Sequence, residues 1–258
     1  MNNKLQLPGA CLLYFCLSAG VQPADLAHPF DARQVVDLTH ALHEDMPFWP
    51  GTAPFVIERL ADYDKGYRMH RFFLWENIGT HIDAPAHFIE GGASVNELGL
   101  DDLVLPVAVI GVQDKAALEP DYQLSVADVL SWEERNGRIM PGGLVVMNTG
   151  WHKKFHDPQA YVNQDEAGVL HFPGFSVAAA QLLVERDVAG IGIDTLSLDP
   201  GNDLSFPVHR LMLGAGKFQV ENMNNLDDLP VRGAVAVIGV LPVKDGSQAQ
   251  ARIFAFME

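Results

Sequence analysis

Eight short apolar runs set the fold class of this chain. "QVVDLTH" (34–40), "HRFFLWEN" (70–77), "VLPVAVIGVQ" (104–113), "GLVVMNTG" (143–150), "VAGIGIDT" (188–195), "KFQVEN" (217–222), "GAVAVIGVLPV" (233–243) and "RIFAFME" (252–258) are rich in β-branched or aromatic residues. They predict strands. Two segments read as helices instead. "SVADVLSWEERNG" opens with a Ser125 to Asp128 capping-box pattern and stops at Gly137, and "SVAAAQLLVERD" opens at Ser176 with Ala, Leu and Val at helical spacing. Each runs into an apolar strand, so the order predicts an α/β fold with a mixed sheet or open barrel and few helices. No internal repeat or Ser/Gly-rich linker divides the chain, and the polar stretch 152–168 reads as a surface loop by default, with a lid or an oligomer arm as the alternatives.

Composition narrows the partners. The 258 residues are 48% hydrophobic, enough for a substantial core, and 33 acidic against 17 basic residues give a formal charge of -16. Such a charge repels phosphate backbones and anionic headgroups, so nucleic acid and membrane surfaces are not expected partners. The N-terminus differs from the rest. Lys4 precedes "LQLPGACLLYFCLSAG", an apolar run too short to span a bilayer comfortably and ending in small residues. Residues 1–24 are therefore expected to be a signal peptide and 25–258 one domain, placing the mature protein in the periplasm or outside the cell. A cytoplasmic protein with a poorly packed extension is the alternative. Cys11 and Cys16 both lie in that leader, leaving a mature chain without thiols. No lipid anchor is expected at Cys11, because the apolar residue required three places before it is missing.

The densest chemistry lies in "WENIGTHIDAPAHFIEGG", 75–92. Read as a continuation of the preceding strand, it puts Asn77, Gly79, His81 and Asp83 on one face and Ile78, Thr80 and Ile82 on the other. Pro85 then turns the chain and brings His87 in from another direction. An imidazole and a carboxylate two residues apart on a stiff strand suit a divalent ion, which needs such donors at about 2.0 to 2.2 Å. A surface strand whose His and Asp merely pair with each other is the alternative. A second segment, "SFPVHRLMLGAGKFQVEN" (205–222), holds His209 and sets Gln219 and Glu221 on one strand face. A buried Glu221 needs a metal or a cationic partner such as Arg210, and His209 could as well bond a backbone carbonyl.

"GTHIDAPAH" resembles the signature H-x-G-T-H-x-D-x-P-x-H of the metal-dependent cyclase family, which contains kynurenine formamidases and isatin hydrolases. The resemblance extends over "DLTHALHEDMPFWPG" (37–51), "NTGW" (148–151), 173–201 and 206–230, in the expected order. It implies a swivelling β/β/α fold, a homodimer or homotetramer, and hydrolysis of a C–N amide bond in a small aromatic or cyclic amide, isatin-like ring opening ahead of N-formylkynurenine. A member that binds a metal or ligand without turnover is a further alternative. By the same resemblance His81 and Asp83 match metal ligands, His87 the acid/base histidine, and His209, Gln219 and Glu221 further ligand positions. Asn77 stands where two-zinc members carry histidine, which leaves a set weighted to oxygen and favours one Mn²⁺ over Zn²⁺. Asn77, Trp49, Trp75 and Phe88 are the expected substrate contacts, with Phe72 as a further aromatic wall. Asp194, Ser197 and Asp199 fall where a strand ends, a place for function or for an ordinary turn.

Overall fold

A computed structural model describes residues 35–257; the expected signal peptide with Cys11 and Cys16 lies outside them. The first half forms strands β1 (Val35–Asp37), β2 (Val56–Ala61), β3 (Met69–Phe73), β4 (His81–Asp83) and β5 (Val104–Gly111), helix α1 (Gln113–Leu118), β6 (Gln123–Leu124), helix α2 (Val126–Asn136) and β7 (Leu144–Asn148). The second half adds α3 (Pro158–Val162), β8 (Gly174–Phe175), α4 (Val177–Glu185), β9 (Gly190–Ile193), α5 (Pro207–Gly214), β10 (Phe218–Glu221), β11 (Arg232–Val240) and β12 (Gln248–Phe256).

Seven strands close into a barrel in the order β12-β11-β5-β7-β9-β10-β4, because β4 pairs with β10 on one edge and with β12 on the other. Strands β5, β7, β9 and β10 run parallel and the rest join antiparallel, so the sheet is mixed and barrel-like, as expected, but closed. Strands β7 and β9 are buried on both faces and read as near-continuous apolar sequence, whereas β10 is buried but alternates polar with apolar residues. In β7, Leu144 and Val146 fill the interior while Val145 and Met147 face outward under α2 and α4. Both helices carry the expected N-caps: Ser125 and Asp128 form a capping box, and Ser176 Oγ accepts from the Ala179 amide. Trp132 of α2 donates its indole N–H to the Val109 carbonyl at 2.8 Å, which satisfies the one polar atom of a buried ring. Close approach of β9 and β10 depends on Gly190, where a Cβ would stand 2.5 Å from the Phe218 ring.

Three expectations are corrected. The run 70–77 does not continue into "NIGTHID". Strand β3 ends at Phe73 in a separate hairpin with β2, and residues 76–80 are turns and bends before β4. Asn77 and Gly79 therefore leave the face that His81 and Asp83 share; Gly79 has φ +67, a left-handed conformation that breaks strand alternation. The stretch 152–168 is not plain surface. It contains α3, whose Tyr161 is fully buried and donates to the Asp194 carbonyl (2.8 Å) and Asn222 Oδ1 (2.9 Å). Strand β12 begins four residues before the apolar run that announced it, at Gln248.

Candidate metal centre

Strand register builds the site. Glu221 lies opposite His81 and Gln219 opposite Asp83, while Ile82 and Val220 point into the barrel. Directly opposed side chains on one sheet face are neighbours, so two H-x-D and Q-x-E pairs become a two-by-two patch on the outer wall. All four residues are buried, and α5 covers them with His209.

Each imidazole is held by a second group. His81 Nδ1 lies 2.8 Å from the Gly79 carbonyl, which fixes the proton on Nδ1 and turns Nε2 toward the carboxylates, 3.4 Å from Asp83 Oδ1 and 3.3 Å from Glu221 Oε2. His209 Nδ1 lies 2.6 Å from Asp199 Oδ2, and its Nε2 faces Glu221 Oε1 at 3.1 Å and Asp83 Oδ2 at 3.4 Å. Asp199 also accepts the amides of Val208 (2.7 Å) and His209 (3.1 Å), so one carboxylate caps α5 and orients its histidine. Of the open alternatives, Glu221 thus meets two histidines and not Arg210, whose guanidinium sits 5.1 Å from the Phe88 ring centre.

The cluster calls for a cation. His81 Nε2, Asp83 Oδ2 and both amide atoms of Gln219 are buried without a hydrogen-bond partner among the described residues. Leaving such atoms unpaired costs several kcal/mol together, about 1–3 kcal/mol each. His81, Asp83 and Glu221 each bring a ligand atom within 4.8 Å of the others. Burial opposes charge on His81, yet the Asp83 and Glu221 carboxylates outweigh it and raise its pKa to about 10. Burial likewise resists ionisation of Asp83, but His209 and His81 hold it far below the usual carboxylate range. Two carboxylates that draw protons onto imidazoles will also draw a divalent ion, and the donors fit one.

Beside this patch, a helical turn, Pro85–His87, carries His87, half-buried and with its pKa lowered chiefly by desolvation. Its ring centre lies 6.0 Å from that of His209 and 4.7 Å from that of Phe88. Phe88 stands 5.8 Å from Phe206, and Phe206 stands 5.9 Å from Trp49. The structure thus gathers His81, Asp83, Gln219, Glu221, His209, His87, Phe88 and Trp49. It does not bring Trp75 there: that ring is 53% exposed beside the β2–β3 hairpin with Phe72. Asn77 lies in the turn before β4 and makes no side-chain hydrogen bond among the described residues. Asp194 serves a neighbouring network, accepting from Thr149 and from His152, whose Nδ1 is 2.9 Å away. Two residues escaped sequence reasoning: Phe206, an aromatic at φ +52 capping α5, and Gln248, which falls between the two last apolar runs, 233–243 and 252–258.

The geometry has counterparts among known proteins. The "Putative cyclase" family model matches residues 36–200. Isatin hydrolase from Roseibium aggregatum is 31% identical over 245 residues, covering 87% of this chain and 92% of that protein. The chain belongs to the cyclase family. Kynurenine formamidase from Bacillus cereus, another relative, is 25% identical over 190 residues, covering 73% of this chain and 81% of its own. In structure, this cyclase-family chain superposes on an isatin hydrolase bound to the product analogue thioisatinate with a TM-score of 0.83 at 29% identity, covering 87% and 92% of the two chains. The Gln219, Glu221, His209 and Gln248 contributions all lie C-terminal to the segment the family model matches.

Proposed function

We propose that this protein is a metal-dependent amidohydrolase that opens the ring amide of isatin or a similar cyclic aromatic amide. One observation carries the reading: the buried donors of His81, Asp83 and Gln219 that lack hydrogen bonds among the described residues converge with Glu221 beside a half-buried His87 and an aromatic wall. The isatin hydrolase relative supports the substrate class, since it matches over nearly its whole length. His81, Asp83, Gln219 and Glu221 would hold the ion, with His209 at its rim, and three oxygen donors to one imidazole favour Mn²⁺ over Zn²⁺. When bound, such an ion supplies Lewis acidity toward a water and the amide carbonyl.

The chain's own groups do the rest. Desolvated His87 is neutral near pH 7, so its imidazole takes a proton from the attacking water and returns it to the leaving nitrogen. Water oxygen bonds to the carbonyl carbon, the C–N bond breaks, and the nitrogen departs as an amine rather than an amide anion. Phe88, Phe206 and Trp49 offer flat apolar surface for the ring and keep bulk water from the carbonyl. Metal analysis of the purified protein, paired with loss of the visible absorbance of isatin with and without Mn²⁺, tests this reading. About one ion per chain with Mn²⁺-dependent ring opening is expected. Two bound zinc ions with activity only on N-formylkynurenine would move the protein to the formamidase branch.

A further inference from the structure

The Asp83 carboxylate is gripped by a side chain from the strand edge opposite Gln219. Strand β12 pairs with the free edge of β4 and sets Gln248 directly across from Asp83, just as β10 sets Gln219 across from it on the other edge. Gln248 is 7% exposed, and its Nε2 donates to Asp83 Oδ1 at 2.8 Å. Only the amide's NH₂ end satisfies a carboxylate, so the chemistry fixes its orientation. Oδ1 is thereby occupied, and Oδ2, 3.4 Å from His209 Nε2, is the buried oxygen left without a hydrogen bond among the described residues.

We infer that Gln248 is a positioning residue of the metal centre: it ties down one oxygen of Asp83, presents the other to the ion, and so sets the affinity for divalent metal. This rests on the metal reading given above. The residue type suits the task. A neutral amide orients the carboxylate without cancelling its charge, whereas a lysine or arginine at this position would neutralise the anion that attracts the cation. Partners that orient a ligand typically contribute 10–100-fold to metal affinity. The signal for Gln248 is tertiary. Its residue number is 165 beyond Asp83, and the two meet only because the last strand closes the barrel.

The test uses full-length protein stripped with a chelator and retitrated with Mn²⁺ against a fluorescent competitor. Gln248→Met keeps the side-chain volume and Gln248→Ser leaves room for water, so a folding defect in one does not decide the result. Weakening of Mn²⁺ binding by roughly 10–100-fold is expected in both, with the metal-free thermal midpoint little changed and an altered Mn²⁺ electron-spin resonance spectrum at saturation. Unchanged affinity and spectrum in variants that bind Mn²⁺ as the wild type does would overturn the role of Gln248. Failure of the wild type itself to take up a divalent ion would overturn the metal reading, and this inference with it.

Discussion

His87 and Asp83 differ in what they touch, and their variants should differ accordingly. Asp83 is fully buried in the donor cluster, whereas His87 stands beside it on the turn after β4. His87→Ala is expected to cut kcat about 10²–10⁴-fold while metal content stays near that of the wild type. Asp83→Ala is expected to lose both, as elemental analysis and an isatin assay on the same samples will show. Full activity in the His87 variant would remove it from the reaction. The pH dependence follows from burial. The neutral imidazole is the working base and exists above its folded pKa, which desolvation lowers from the usual 6.5. The acid limb of kcat/KM measured with saturating Mn²⁺ should therefore fall below the ordinary imidazole range, and a limb well above 6.5 would contradict this assignment.

At the level of elements, the site depends on a helix too short to stand alone. Helix α5 spans eight residues, Pro207–Gly214, and starts from Phe206 in the left-handed region, which costs a non-glycine residue about 1 kcal/mol or more. Pro207 at its first position and Asp199, reaching in from the loop after β9, compensate. Because the Asp199 carboxylate accepts two helix amides and the His209 imidazole, Asp199→Ala should destabilise the fold by about 2 kcal/mol. Urea unfolding monitored by tryptophan fluorescence checks the magnitude, and Mn²⁺ titration of the same variant should show weaker binding as His209 loses its orientation. By contrast, α2 carries its own cap. Ser125→Ala should cost about 1 kcal/mol and leave metal binding untouched, which makes it the control for global destabilisation.

Over the whole molecule, acid should be the main threat to stability. His40 is buried against Phe155, rings stacked 3.6 Å apart, and its Nε2 lacks a partner among the described residues. Desolvation first, and His152 second, lower its pKa from 6.5 to about 4. The unfolded chain thus binds this proton more readily than the native one. The stabilisation is fully present above 6.5 and is lost progressively between 6.5 and about 4, amounting to roughly 3 kcal/mol at the lower end. Urea midpoints measured across that window should fall with pH in the wild type and fall less in His40→Gln. Metal acts in the opposite sense. Any ion that binds only the folded cluster adds about 2.7 kcal/mol at a hundred times its Kd, so a chelator should lower the thermal midpoint.

Sequence alone determined the parts that repeat within a few residues. Strand alternation put His81 with Asp83 and Gln219 with Glu221, apolar runs marked the parallel wall, and Ser125 and Ser176 announced their helices, because each pattern depends on a local period or cap. The order of motifs also carried the family, and with it the expected fold. Tertiary structure decided what joins across the chain. Closure of the barrel by β12 on β4, the Asp199 grip on His209, the Gln248 bond to Asp83 and the removal of Trp75 from the site all link positions that no local period relates. Their cause is register and chain closure: a strand's neighbours are fixed by global packing, while its faces are fixed by its own residues.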